Sequence, residues 1–359
     1  MVTVPTFAPD SDEVVVATTS GLFCPAGGFH VDPWKVEGVD RAVVTHAHSD
    51  HLRDGPHRVL VAAPGLGIAR RRAPRATIEG IAYGERRRIG RATVSLHPAG
   101  HVLGAAQVRI EVDGRTWVVS GDYKRAADPT VEPFEPVACE TFISECTFGL
   151  PVYRWEDPAC IADGLNAFWS AAAREGRNAI VGAYALGKAQ RILAMADRSI
   201  GPIAAHGAVR AIVAEYRAAG VGLPELVDAS ERLRGALVVA PPSAIGSAWA
   251  RKFGDAATAI ASGWMRVRGM RRRAGVDRGL VVSDHADWAD LNRTVAETGC
   301  GRVLFTHGFT HEMARFHAER GLAAGRIETR FTGERLDAET GAELMAEPGA
   351  EPSPETPDA

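Results

Sequence analysis

Seven consecutive residues constrain this chain more than any other stretch: Thr45-His46-Ala47-His48-Ser49-Asp50-His51. A short apolar run, Ala42–Thr45, reads as a buried strand that leads straight into the histidines. In extended backbone alternate side chains share a face, so His46 and His48 point the same way and can reach one cation. The chain then turns, which lets Asp50 and His51 address a second point a few ångströms away. Four nitrogen or oxygen donors gathered at a strand tip read as metal ligands. The competing reading is a polar loop with incidental histidines. One such segment cannot fill two coordination spheres, so it predicts further donors at other strand ends. His101 in Pro98-Ala99-Gly100-His101-Val102-Leu103-Gly104, Asp122 after Val118-Val119-Ser120-Gly121, and His307 in Val303-Leu304-Phe305-Thr306-His307-Gly308 stand at such points. His30, His57, His97, His206, His311 and His317 fit no ligand slot and read as structural.

The first half of the chain is built of short β-branched or apolar runs that end in Gly, Asp or His. From about Asp157 the pattern changes: strands such as Asn178–Tyr184 alternate with helical stretches such as Leu186–Asp197 and Val209–Gly220. Strands alternating with helices of ~10–15 residues indicate βαβ units and a parallel sheet. After Arg278 the earlier style returns. The reading is one α/β domain interrupted by a second α/β domain inserted at roughly 155–270.

Composition narrows the class. Of 359 residues 46% are hydrophobic and 24% charged, which excludes a disordered or fibrous chain. No stretch approaches the ~18–20 uninterrupted apolar residues of a membrane span, and the N-terminus lacks a basic region followed by an apolar run. Five scattered cysteines without a CxxC pair read as reduced thiols of a cytoplasmic protein, not as a disulfide framework or thiolate zinc site. The net charge of −3 superficially disfavours nucleic acid. The segment after Met345, however, holds Glu347, Glu351, Glu355 and Asp358 and no basic residue; without it the balance becomes +1. Arginines gather at 70–75, 85–91 and 265–278. The last run, with Arg271, Arg272 and Arg273, joins the insert back to the first domain and reads as a strand-tracking surface. Tyr184-Ala185-Leu186-Gly187-Lys188-Ala189-Gln190 places Gly187 and Lys188 at a helix start, where backbone N–H groups can face a phosphate. It lacks the GxxxxGK[ST] spacing of a nucleotide-hydrolysing loop.

The motifs THAHSDH, GHVLGA and VVSGD, in this order, resemble the metallo-β-lactamase fold, an αββα sandwich with its metal site at the strand edge. Ile143-Ser144-Glu145-Cys146-Thr147, Ser283-Asp284-His285-Ala286-Asp287 and Thr306-His307-Gly308 resemble the further motifs of the β-CASP nucleases, as does the insert. That branch contains Artemis-like DNA repair nucleases and RNA endonucleases. The opening Gly21–Pro33 and Gly121-Asp122-Tyr123-Lys124 resemble bacterial ligase-associated DNA exonucleases. The resemblance implies a metallo-β-lactamase domain in two parts, 1–154 and 271–345, a β-CASP domain at 155–270, and leaves 346–359 as a disordered acidic tail. It implies one metal held by His46, His48 and His101 and another by Asp50, His51 and His307, with Asp122 bridging. Both ions would be zinc or manganese, since imidazole plus carboxylate serves either. Asp32 would orient a ligand histidine. His285 would protonate the leaving oxygen or contact the scissile phosphate, held protonated by Glu145. The implied activity is two-metal-dependent phosphodiester cleavage of DNA, by an exonuclease preferring single strands and acting in repair. RNA processing is the alternative, and a small-molecule metallo-hydrolase a weaker one. DNA is the implied partner, with functional association to an ATP-dependent DNA ligase and a helicase, and no membrane.

Overall fold

The computed structural model describes residues 13–230 and 232–327; the tail expected at 346–359 lies outside them. Strands β1 (Val16–Ala17), β2 (Leu22–Cys24), β3 (Phe29–Val31), β4 (Arg41–Val43), β5 (Arg58–Ala62) and β6 (Thr77–Ile81) form a six-stranded sheet in chain order. The following strands β7 (Arg87–Ile89), β8 (Ala92–Pro98), β9 (Ala106–Val112), β10 (Arg115–Val119) and β11 (Thr141–Cys146) build most of a second sheet. The chain then leaves to form a separate five-stranded parallel sheet. Its strands are β12 (Ala179–Gly182), β13 (Ile203–Ala205), β14 (Leu237–Ala240), β15 (Ala257–Ala261) and β16 (Arg278–Leu280), in the order 13-14-12-15-16. The chain returns with β17 (Arg302–Gly308), which pairs parallel to β11, and β18 (Ala323–Arg326), completing seven strands in the second sheet. The inserted sheet therefore extends to Leu280. Arg278–Leu280 pairs with Ala259–Ala261, which carries the insert past the 270 read from sequence.

Alternation along the strands explains the layers. Trp117 and Val119 face inward with Val43, Leu60, Val94, Val108 and Ile143, making a dry core between the first two sheets. Val118, one residue out of phase, faces the opposite way, with Phe142 and Phe305. That outer face is covered by helices α7 (Trp288–Thr298) and α8 (Thr310–Ala318), while α1 (Leu66–Arg72) covers the other sheet through Ile68 and Ala69. (Helices α2 Pro158–Arg174, α3 Lys188–Met195, α4 Gly207–Ala218, α5 Ala248–Arg251 and α6 Arg268–Arg273 belong to the insert.) In the insert Val181 and Ile180 likewise point to different faces. Val181 packs with Leu165 and Trp169 of α2 and Ile192 of α3, and Ile180 with Phe253. The result is helix, sheet, sheet, helix, with a parallel α/β unit entering between β11 and β17. Among the described residues no helix is long and apolar enough to cross a membrane.

Candidate metal centre

His46, His48, His101 and Asp122 converge so that one donor atom of each lies within 4.8 Å of the others, and Asp122 forms a second group with His51 and His307. The distances within the first group are specific. His48 Nδ1 is 3.1 Å from His46 Nε2 and 3.2 Å from His101 Nε2. Asp122 Oδ2 is 3.5 Å from His46 Nε2 and 3.7 Å from His101 Nε2. A tetrahedron of donors at zinc-ligand bond lengths has edges of about 3.3 Å, so these four atoms are spaced to share one cation. In the second group Asp122 Oδ2 is 3.6 Å from His51 Nε2, and the His51 and His307 rings stack at 5.3 Å; Asp50, expected from sequence as a ligand, is not a member of this group, its Oδ2 lying 3.8 Å from His51 Nε2.

Each ring is turned by a partner on its other nitrogen. The Leu186 carbonyl faces His48 Nε2 at 3.2 Å and the Asp284 carbonyl faces His101 Nδ1 at 2.8 Å. A carbonyl only accepts, so each of these nitrogens carries the proton and leaves a lone pair on the nitrogen facing the cluster. Asp32 does the corresponding work near β4. Its Oδ2 accepts from His51 Nδ1 at 2.7 Å and from the Thr45 hydroxyl at 2.6 Å, and its Oδ1 accepts from the Thr45 N–H at 2.8 Å. Because the Thr45 hydroxyl is committed as a donor, it accepts from His46 Nδ1 at 3.1 Å. One carboxylate thus orients a histidine in both groups. Gly121 makes room for this relay: its φ is +57°, and a Cβ there would lie 2.5 Å from Thr45 Cβ. Asp32 itself sits at φ +45°, a cost tolerated where side chains over-determine the backbone.

His307 is aimed by a bulge. The β11–β17 register pairs Glu145 with Thr306 but Cys146 with Gly308, so His307 drops out of the ladder at φ +55°. Its Nδ1 is held 2.6 Å from the Thr306 hydroxyl.

The electrostatics describe a pocket poised for cations. Burial, reinforced by repulsion from neighbouring imidazoles, holds His46 and His48 well below the usual range and brings His101 and His307 down to about 3. Burial also opposes charge on His51, but Asp122, Asp50 and Asp32 overcome it and push that ring up to about 10. Burial raises Asp122 to about 7, against the pull of His51 and His285. Burial would raise Asp50 too, yet His51, His48 and His307 bring it down to about 2. Among the described residues Asp122 Oδ1 is buried and accepts no hydrogen bond. A buried acceptor left so is costly, and the lone pairs of His46, His48 and His101 converge beside the same carboxylate. The residues present fit divalent ions bound by nitrogen and oxygen.

Beside the cluster His285 Nδ1 lies 2.9 and 3.0 Å from the two Glu145 oxygens, and its ring is 4.7 Å from that of His101. Glu145 also accepts the N–H groups of Tyr123 and Thr147. Burial would raise its carboxyl, but His285 and these bonds hold it down to about 2. Phe148 packs 5.8 Å from His285 and 4.9 Å from Trp264, and Trp155 Nε1 donates to the His285 carbonyl, so an aromatic wall backs this pair. Asp287 caps α7 by accepting from Asp290 N–H.

Two expected nucleic-acid contacts stand differently. Arg271, Arg272 and Arg273 are exposed on α6. Lys188 is not: it is 1% exposed, its Nζ 3.8 Å from Asp284 Oδ2 and 4.5 Å above the Tyr184 ring. The phosphate role read for it from sequence is corrected accordingly, because an internal carboxylate already takes the ammonium. Gly187 is buried against Val102, with φ +89°, so the segment serves packing between the units. Sequence reasoning missed Thr45 as a relay and the carbonyls of Leu186 and Asp284. A polar residue beside HxHxDH was a signal for Thr45; backbone carbonyls leave none.

No family model matches the chain. A probable DNA ligase of Opitutus terrae is 31% identical over 319 residues, 87% of this chain and 31% of that protein. Endoribonuclease YSH1 of Gibberella zeae is 33% identical over 125 residues, 33% of this chain and 14% of its own. Cleavage and polyadenylation specificity factor 73 of Drosophila melanogaster is 30% identical over 125 residues, covering 33% of this chain and 18% of that protein. The chain thus spans under a third of the length of each of these relatives. Among solved structures, a protein of unknown function from Enterococcus faecalis shares the fold with a TM-score of 0.57 at 14% identity, covering 82% of this chain and 80% of that one. Fold and donor set together define an α/β sandwich, interrupted by a parallel α/β unit, that carries a histidine–aspartate centre.

Proposed function

We propose that this chain is a metal-dependent nuclease of the β-CASP branch that cleaves DNA, prefers single strands and trims them as an exonuclease in repair. The observation that carries the reading is the meeting of three groups at Asp122: His46–His48–His101, His51–His307 and Glu145–His285. The relative named a DNA ligase, similar over most of the chain, supports DNA as substrate and work beside a ligase. The relatives named endoribonucleases and a cleavage factor support strand cleavage. The parallel α/β unit entering between β11 and β17 supports the β-CASP assignment and a groove rather than a small-molecule pocket.

His46, His48 and His101 would hold one ion, Asp50, His51 and His307 the other, and Asp122 both. When bound, zinc or manganese would supply a water of lowered pKa and neutralise the phosphoryl oxygens. Asp32 and Thr45 keep His46 and His51 facing the ions, so that donors need not reorganise during the reaction. Glu145 fixes His285 Nδ1 and favours its protonated ring, leaving Nε2 to give a proton to the departing oxygen, which leaves poorly as an alkoxide. The exposed Arg271–Arg273 run would follow the strand's backbone.

The test is a gel with end-labelled single-stranded DNA, duplex DNA and RNA, each with Mn²⁺, Zn²⁺ or Mg²⁺. Stepwise shortening of single-stranded DNA, abolished by chelator, is expected; cleavage of RNA alone, or of nothing, overturns the reading. His285→Ala should slow turnover by about 10²–10⁴-fold with metal content unchanged. Loss of bound metal in that variant would show His285 to be a ligand instead of the acid.

A further inference from the structure

Behind the cluster lies a charged network that the proposed chemistry does not use. Lys124 and Asp128 come from the sandwich, Lys188 and Arg191 from α3 of the insert, and Asp284 from the returning segment; all but Asp128 are at most 3% exposed, and the Asp128 side chain is likewise 3% exposed. Arg191 is the member that touches all sides. Its Nε lies 3.6 Å from Asp128 Oδ2, its Nη1 lies 3.9 Å from Asp284 Oδ1, and Nη1 donates to the Ser283 carbonyl. Asp128 is itself fixed, accepting from the Thr130 N–H and hydroxyl and paired with Lys124 at 3.3 Å. Lys188 holds the other Asp284 oxygen.

Burying so many charges is a poor way to gain stability, since well-packed apolar side chains of similar volume do as well or better. A planar guanidinium, however, fixes directions that an apolar contact leaves open. What it fixes here is the Ser283–Asp284 stretch. The Asp284 carbonyl accepts from His101 Nδ1 at 2.8 Å, and the Ser283 hydroxyl accepts from the His285 N–H at 3.1 Å. Both outputs of this stretch enter the candidate centre.

We propose that Arg191 is a positioning residue through which the inserted unit sets the metal centre: it locks Ser283–Asp284 so that the Asp284 carbonyl holds His101 in its ligating tautomer. The inference rests on the reading of His101 as a ligand. The segment containing Gly187, Lys188 and Arg191 then acts as an inward clasp instead of a phosphate cradle.

The test uses the full chain carrying Arg191→Lys, Arg191→Met or Asp128→Asn, with His101→Ala as reference. Zn²⁺ affinity is measured by competition with a chromophoric chelator, kcat and KM on a single-stranded oligonucleotide, and melting temperature on the zinc-loaded protein. Loss of such an orienting partner is expected to weaken Zn²⁺ binding by about 10–100-fold. A parallel fall in kcat at nearly constant KM is expected. Arg191→Lys should fail to rescue, because one ammonium cannot face Asp128 and the Ser283 carbonyl at once. Should the Arg191 variants not fold, Asp128→Asn, which keeps a side-chain oxygen for Thr130, should show a smaller loss in the same direction. Variants whose Zn²⁺ affinity and kcat match the parent, with only the melting temperature lowered, overturn the proposal. If His101→Ala also binds Zn²⁺ normally, the ligand assignment itself has failed; if it alone loses zinc, the clasp has.

Discussion

The two donor groups that share Asp122 are oriented by different parts of the molecule. His51 and His307 take their outer hydrogen bonds from Asp32 and Thr306, all within the sandwich and its strand ends. His48 and His101 take theirs from Leu186 in the insert and Asp284 where the chain returns, 138 and 183 residues away. One group is thus a product of the sandwich, whereas the other is finished only when the insert is docked. Local wiring makes a ligand robust; distant wiring lets a second unit set its affinity.

Asp122 is common to both groups, so Asp122→Ala should erase the distinction. Metal is worth several kcal/mol of transition-state stabilisation, so cleavage should fall on the order of 10³-fold, with metal lost from both groups on elemental analysis. Ordinary nuclease activity in that variant would end the two-metal account. The asymmetry itself is probed by a pair of substitutions, each expected to weaken binding by about 10–100-fold. Gly187→Ala would force a Cβ to 2.3 Å from Val102 and displace the neighbouring Leu186 carbonyl, and should weaken one ion only. Asp32→Ala should weaken both, since it serves His51 directly and His46 through Thr45. Two-phase zinc titrations that do not distinguish these variants would break the comparison. Reversing charge at Arg271–Arg273 should leave metal binding alone and flatten the salt dependence of DNA affinity, by about 0.7 in log–log slope per lost phosphate contact. An unchanged slope would remove this run from the binding surface.

The smallest effect concerns stability outside either group. Burial, with help from Arg320, brings His317 down to about 4, while its ring stacks on Phe305. Between that value and the ordinary 6.5 the unfolded chain binds more protons than the folded one, so this residue's contribution is lost as pH falls through that window. His317→Phe should therefore flatten the fall in melting temperature between pH 6.5 and 4 relative to the parent, whereas parallel curves would show that His317 does not titrate there.

Much of the centre was readable because it is written in side chains at strand ends. His46, His48 and His51 of HxHxDH, and the lone His101, Asp122 and His307 closing other strands, fall in the groups that the structure brings together, whereas Asp50 stands outside them. The alternation of strands and helices after Asp157 likewise marked the insert's parallel sheet, although its last strand, Arg278–Leu280, is too short and polar at its start to be separated from the arginine run before it. Lys188 misled because Gly followed by Lys at a helix start is the same string whether the helix faces a phosphate or an internal carboxylate. Only the arrival of Asp284 from a distant segment decides. The Leu186 and Asp284 carbonyls were invisible for a simpler reason: every residue carries one, and tertiary placement alone gives it a task.

The parallel pairing of β11 with β17 also governs the order in which the molecule can be made. Glu145 is synthesised early and Thr306 late, and the insert lies between them. Contacts so far apart in sequence form slowly, because the intervening loop must be closed first. The inserted unit, with its own sheet and core, can fold while the sandwich still lacks β17. His307 arrives with that strand, after every other proposed ligand. A nascent chain therefore lacks one member of the His51–Asp122–His307 group until β17 has been made.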